Sequence, residues 1–305
     1  MLKKIVFMRT PEFAVPSLEA LKKSNNNIIS VYAQPPSKAN RGQKLTESKV
    51  EMAAKKFSLN IRTPFNLDDE EFNFFQSIQP DIVIVVAYGK IIPKKFLNIP
   101  KFGFINLHAS LLPKWRGAAP IQRSIMNLDS ETGISIMKIV EELDAGPIMH
   151  QDKLKINENI DALSLSKILS QLGAKSLIDA IKKIEIGDAI FKEQRHEKAT
   201  YAKKITKKES EINWNDGAKK ILAKINGLNP NPGAWFKYKN ERYKVWKAKI
   251  ENKSGSIGKT IDDKLTIACN EHSIKILEIQ KEGKSRQEIN QFLLGNKIKK
   301  GENLI

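Results

Sequence analysis

The apolar positions of this chain follow two periods, and the places where one gives way to the other mark its predicted elements. Residues 4–8 form an apolar run too short for a helix, closed by Arg9 and Pro11, and predict a strand. Phe13, Ala14, Leu18 and Leu21 then recur at helical spacing over residues 11–23. Residues 28–33 read as a second buried strand and 35–46 as a polar loop. Helices are predicted over 46–57 and 68–78, the second opened by acids that suit a positive helix N-terminus. The clearest strand is 81–87, whose apolar residues are mostly β-branched. Residues 104–108, 132–140 and 147–156 are further strands, the last two paired through 141–146, and 161–184 carries a long helical stripe. Strands alternating with helices predict right-handed βαβ units and a Rossmann-like α/β domain with a mainly parallel sheet.

The pattern changes near residue 189. Residues 190–207 are charged, broken and without periodicity, and read as a linker. Beyond them, short strand-like runs at 212–214, 234–238, 243–250, 258–261, 264–268 and 273–279 are separated by Gly, Asn and Asp, with one helix at 218–225. That spacing predicts a smaller C-terminal β-barrel, OB-like. The expected division is a sheet domain over 1–189, a linker over 190–207 and a barrel domain over 208–305.

Composition adds to this mainly where it points to a partner. The 305 residues suffice for two buried cores. A single cysteine, Cys269, excludes an intramolecular disulfide, and four scattered histidines lack zinc-ligand spacing, which suits a reducing cytoplasm. The basic start is interrupted at once by Arg9, Pro11 and Glu12, so no secretory leader is expected, and no run of about 18 uncharged apolar residues predicts a membrane span. The net charge is +18, and residues 200–305 alone hold 23 Lys+Arg against 12 Asp+Glu. A solubilising lysine surface accounts for such an excess, and so does a polyanion partner. Lys207 and Lys208 are candidate phosphate contacts, as are Lys203, Lys204, Lys299 and Lys300.

Ligands of an open parallel sheet bind beyond the carboxyl ends of its strands. Residues 81–87 end in Tyr88-Gly89, and 104–108 delivers Asn106 and His108, two apart and so on one face. Asp144 falls in a tight loop between two strands. An amide and an imidazolium both donate to a developing oxyanion, and a carboxylate can orient the imidazole. With no nucleophile motif in the chain, such a set fits direct attack by a substrate nucleophile on a bound acyl donor. On these residues alone, a satisfied polar pair in a core fits as well.

The block Asn106-Leu-His-Ala-Ser-Leu-Leu-Pro-Lys-Trp-Arg-Gly-Ala-Ala-Pro-Ile121 resembles the formyltransferase family that uses 10-formyltetrahydrofolate. Thr10-Pro-Glu-Phe-Ala-Val-Pro-Ser-Leu18, Val86-Ala-Tyr-Gly89, Glu131-Thr-Gly133 and Leu143-Asp-Ala-Gly146 follow in that family's order. Asn229-Pro-Asn-Pro-Gly-Ala-Trp235 and Val245-Trp-Lys-Ala248 are similar to C-terminal segments of its branch that formylates methionyl-tRNA.

By that resemblance Asn106, His108 and Asp144 are the catalytic trio. Val86, Ala87, Tyr88, Gly89 and Leu107 form a pterin-binding wall, through main-chain contacts. Ser110, Leu111, Leu112 and Pro113 shape the folate pocket. The loop of Arg41, Gly42, Gln43, Lys44 and Leu45 enters the acceptor-stem groove. The implied reaction moves a formyl group from 10-formyltetrahydrofolate to the α-amino group of initiator methionyl-tRNA. It needs no metal and no membrane, and a cytoplasmic monomer is expected.

Arg9 departs from the family, which has glycine there; either the local backbone is ordinary, or the arginine perturbs the site or adds a contact for the tRNA terminus. Arg116 is expected to brace its loop through carbonyls, and Trp214, Trp235 and Trp246 to fill the barrel core. Formyl transfer to a sugar-nucleotide amine or to glycinamide ribonucleotide, release of formate by water, and RNA binding without catalysis are the other functions compatible with these residues.

Overall fold

The computed structural model describes residues 4–9, 12–35, 37–39, 44–296 and 298–304, with nothing stated of the side chains of 37–39 and 44–46. Two compact units divide the chain, and they do not follow chain order. One comprises Met1–Pro120, Gly133–Leu154 and Ser166–Ala202; the other comprises Ile121–Thr132, Lys155–Leu165 and Lys203–Ile305.

The first unit is built on a seven-stranded sheet in the order Ile148–Lys155, Glu131–Lys138, Phe104–His108, Ile82–Val86, Lys4–Arg9, Asn27–Tyr32, Ile61–Arg62. The strands from Phe104–His108 to Ile61–Arg62 pair in parallel, and Glu131–Lys138 joins Phe104–His108 antiparallel. Ile5 to Met8 and Ile82 to Val86 are buried on both faces of this sheet. That is why these runs are continuously apolar rather than alternating. Side-chain caps start two of the helices: Ser48 Oγ accepts from Glu51 N at 3.1 Å, and an Asp68 carboxylate oxygen from Glu71 N at 3.1 Å. Phe75 meets Phe96 edge-on at 5.4 Å and stacks on Phe104 at 5.9 Å, filling the layer between helix and sheet.

Chain order runs outward from Lys4–Arg9 to Asn27–Tyr32 and Ile61–Arg62, then returns to Ile82–Val86 on its other side. The carboxyl ends of Lys4–Arg9 and Ile82–Val86, where Arg9 pairs with Val86, therefore form a topological switch point.

Two stretches differ from their sequence reading. The polar loop contains a short antiparallel pair, Ser37–Ala39 with Lys44–Thr46. The stretch read as a linker carries the strand Tyr201–Ala202, parallel to Arg116–Gly117, and a bridge from Lys192 to Ile148. Ladders of two or three residues leave no apolar periodicity to read.

In the second unit an antiparallel sheet runs Ala234–Tyr238, Glu241–Glu251, Ser273–Lys281, Thr266–Ala268, with Gln287–Glu288 also on Ser273–Lys281. Residues 212–214 and 258–261, read as strands, contribute only isolated bridges at Lys259 and Thr260. Ile212 and Trp214 are apolar for another reason: they enter the core, where Trp214 Nε1 donates to Leu304 O at 3.0 Å. Trp214 lies in this core as expected, whereas Trp246 is buried outside the core cluster and Trp235 is only partly covered. The helices Pro120–Met126 and Ile289–Gly295 were not anticipated. Among the described residues no helix is long and apolar enough to cross a membrane.

Candidate active site

The strand Phe104–His108 brings Asn106 and His108 to one face near its carboxyl end, with both side chains buried. Asp144 reaches them from the turn after Glu131–Lys138, held at a left-handed φ of +48°. Asn106 Nδ2 lies 3.4 Å from Asp144 Oδ1, and His108 Nδ1 lies 3.6 Å from Asp144 Oδ2. The second separation is too long for a hydrogen bond and short enough for charge attraction when the imidazole is protonated.

Two main-chain groups set the orientation of this trio. His108 Nε2 is 2.9 Å from Trp115 O, and because a carbonyl only accepts, Nε2 carries a hydrogen. Nδ1 is then the ring nitrogen that faces the carboxylate. Gly117 N donates to Asp144 Oδ2 at 2.8 Å. Gly117 has φ +117°, and a Cβ there would sit 2.9 Å from Ala202 O, so only glycine presents that N–H without displacing the neighbouring chain.

Three of the non-glycine residues with positive φ lie here, Ala87 at +50°, Trp115 at +62° and Asp144 at +48°, while others lie in turns elsewhere in the chain. Such conformations persist only where the surroundings enforce them, and they concentrate at functional sites.

The loop after His108 is fixed from beneath. Ser135 Oγ donates to Ser110 O at 2.6 Å and accepts from Leu112 N at 3.0 Å, and Gln151 Nε2 donates to Leu112 O at 2.9 Å. Ser110 Oγ is spent on Lys114 O at 2.6 Å, so the serine shapes the loop. Leu111 and Pro113 remain partly exposed above buried Leu112 and Leu107. In the segment Val86 to Gly89, Val86 and Tyr88 are buried, while Ala87 and Gly89 are exposed. Gln34 Nε2 steadies the segment by donating to Tyr88 O at 3.2 Å. Burial, with Glu71 nearby, raises the Tyr88 phenol to about 12, so it stays protonated and neutral.

Arg9 is fully buried, and its three guanidinium nitrogens have no hydrogen-bond partner among the described residues. Desolvation lowers it to about 9, against a raising effect of Glu12. Its backbone is that of an ordinary strand, which removes the concern over glycine-specific conformation.

Arg116 braces its loop through side-chain acceptors rather than main-chain carbonyls. Its Nη2 and Nε donate to Gln194 Oε1 at 2.8 and 3.1 Å, and its Nη1 donates to Glu142 Oε1 at 3.2 Å. Of the residues expected at nucleic acid, Arg41 and Gly42 lie outside the described residues, as does the Lys44 side chain. Lys207 and Lys208 are exposed in the second unit. The Trp115 carbonyl and the Gly117 N–H escaped the sequence reading, because a main-chain group has no residue-type signature.

Comparison with known proteins decides the family. The model described as "Formyl transferase" matches residues 3–181, and its C-terminal domain model matches 204–297. The chain belongs to the formyl transferase family. A methionyl-tRNA formyltransferase of Pelagibacter ubique (strain HTCC1062) is 53% identical over 307 residues, covering 100% of this chain and 99% of the relative. Among solved structures, the sugar 3N-formyl transferase WlaRD, crystallised with dTDP and 5-N-formyl-THF, superposes with TM-score 0.67 at 20% identity, over 93% of this chain and 100% of that one. A methionyl-tRNA formyltransferase from Clostridium thermocellum gives TM-score 0.56 at 21% identity, over 82% and 95%. Like these structures, this formyl transferase family member carries the α/β sheet of the first unit, followed by an antiparallel sheet body.

Proposed function

We propose that this chain transfers the formyl group of 10-formyltetrahydrofolate to the α-amino group of initiator methionyl-tRNA, in support of translation initiation. The observation that carries the reading is end-to-end similarity, 53% identical, to a relative named for that reaction. The convergence of Asn106, His108 and Asp144 beside the switch point supplies the chemistry.

In this reading the amine nitrogen bonds to the formyl carbon, charge develops on the formyl oxygen, and the bond from carbon to the folate nitrogen then breaks. Asn106 has two amide hydrogens, one toward Asp144 and one for the oxyanion. His108, anchored at Nε2 by Trp115 O, offers Nδ1–H to the oxyanion when it is an imidazolium. Asp144 receives, through water, the proton the amine loses and returns it to the folate nitrogen as the carbon–nitrogen bond breaks, so the leaving amine departs neutral.

The exposed main chain at Ala87 and Gly89 suits hydrogen bonding to a flat heteroaromatic ring, with Val86, Tyr88 and Leu107 behind it. Ser110, Leu111, Leu112 and Pro113 form the adjoining rim.

Residues 1–189 serve as the catalytic domain, joined through 190–207 to a tRNA-binding domain at 208–305. That domain is an OB-like barrel, a reading supported by the bulges that bend Glu241–Glu251 after Val245. Arg41, Gly42 and Lys44 address the acceptor stem, and Lys207 and Lys208 its phosphates. No metal takes part, and the protein works as a cytoplasmic monomer.

The test is incubation with charged initiator tRNA and 10-formyltetrahydrofolate, with formyl-methionyl product and free formate both measured. Formyl-methionyl-tRNA is the expected product. Formate alone would make the chain a hydrolase.

A further inference from the structure

The segment from Lys192 to Ala202 makes more contacts with the site than a connection between domains requires, and all of them lie within the first unit. Lys192 pairs with Ile148 in both directions at 2.8 Å. Gln194, 6% exposed, divides its amide between the two halves of the site. Its carbonyl oxygen accepts twice from Arg116, and its Nε2 donates to Asp144 O at 2.9 Å and to Gly146 O at 2.7 Å. One side chain thus ties the loop that follows His108 to the turn that carries Asp144.

Thr200 acts on the other half. Its Oγ1 accepts from Trp115 N at 2.9 Å, its N donates to Pro113 O at 3.2 Å, and its O accepts from Arg116 N at 2.8 Å. Ala202 O then accepts from Ala118 N at 2.9 Å and Ala119 N at 3.2 Å. Trp115 is held on both sides of its left-handed conformation, and its carbonyl is the acceptor for His108 Nε2.

We propose that residues 192–202 form a positioning strap of the active site: Gln194 holds the Asp144 turn, and Thr200 holds the Trp115 carbonyl that anchors the His108 imidazole. The proposal rests on the formyl-transfer reading above. The physical reason is strain. Left-handed Asp144 and Trp115 each stand above relaxed backbone and need bonds from outside their own loops to stay there. Because catalytic hydrogen bonds depend on sub-ångström placement, slack in the strap appears in kcat and leaves substrate binding in place. Gln194 and Thr200 are positioning residues, since both act through the main chain of their neighbours.

The experiment uses the full chain with three substitutions. Thr200→Val keeps the volume and removes the acceptor for Trp115 N; Thr200→Ser restores it. Gln194→Glu keeps the acceptor for buried Arg116, which protects folding, and removes the donors to Asp144 O and Gly146 O. With charged initiator tRNA and 10-formyltetrahydrofolate, Thr200→Val should lower kcat about tenfold, and Gln194→Glu by up to about a hundredfold. Both KM values should stay within about twofold, and Thr200→Ser should recover the rate.

A second readout needs no turnover: the ring N–H resonance of His108, identified by its loss in His108→Gln. It should report hydrogen on Nε2 in the wild type, exchange faster with solvent in Thr200→Val and recover in Thr200→Ser. An unaltered kcat in Thr200→Val and Gln194→Glu overturns the proposal, as does an imidazole signal indifferent to Thr200→Val. If the wild type makes no formyl-methionyl product while the imidazole responds as stated, the formyl-transfer reading fails and the strap's hold on His108 stands.

Discussion

The carboxyl edge of the parallel sheet and the interior of the antiparallel sheet are equally buried and are built from opposite materials. At the edge, Asn106, His108, Ser110, Arg116, Ser135 and Gln194 are all buried, and each makes directional hydrogen bonds. Inside the antiparallel body, Trp214, Phe236, Tyr243 and Phe292 pack ring against ring at 5.6–6.0 Å, among isoleucines and a valine. An apolar core relaxes around a change of shape and loses stability in proportion to what is removed. A hydrogen-bonded edge cannot repack, because each donor has one acceptor in one direction. The first region should therefore report substitutions in rate, and the second in stability.

The largest effect expected is on the apolar side. Phe236→Ala removes a buried ring that touches Trp214 and Tyr243, and should destabilise the second unit by about 3–5 kcal/mol in chemical denaturation. A loss below about 1 kcal/mol would mean that this core is loosely packed.

His108→Ala and Asn106→Ala should each lower turnover by at least ~10²-fold, about 2.7 kcal/mol, with melting temperature little changed. Near-wild-type turnover in either would remove the trio from the mechanism.

Arg9 breaks the rule of the edge, being polar, buried and without a hydrogen-bond partner among the described residues. Arg9→Met should raise stability by about 1–3 kcal/mol. Its sign with pH is fixed by the lowered value near 9. Below that pH the folded state bears the full desolvation of the charged group. As pH rises through 9 the folded protein sheds that proton while the unfolded chain keeps its own, so the penalty fades. The stability difference between Arg9→Met and wild type should shrink on that limb, and a difference constant with pH would contradict it.

The smallest effect concerns the exposed surface of the second unit. Replacing Lys207 and Lys208 together by Ala should leave stability unchanged and flatten the dependence of tRNA affinity on salt. An identical slope would show that neither lysine meets a phosphate.

How far these features were legible in the sequence follows from how local their causes are. The strand Phe104–His108 and its Asn-x-His face were readable because a period of two depends only on neighbouring residues. The helix at Asp69–Ile78 was readable because its cap and acidic first turn lie within four residues of each other. Pro120–Met126 went unread because it is short and only its first two residues fall in the motif that ends at Ile121. The Lys192–Ala202 strap was opaque: its side-chain bonds reach residues 48 to 85 positions away, and the side chains that make them, Gln194 and Thr200, look like ordinary linker polarity.

Local chemistry in the chain thus settled the α/β alternation, the residue types at the site and the family, since each depends on short-range pattern and side-chain identity. Folding in three dimensions settled which nitrogen of His108 faces Asp144, why Gly117 must be glycine, and that Arg9 is buried without a hydrogen-bond partner among the described residues. Those outcomes rest on main-chain groups and on contacts between residues distant along the chain, and neither leaves a mark in the order of the amino acids.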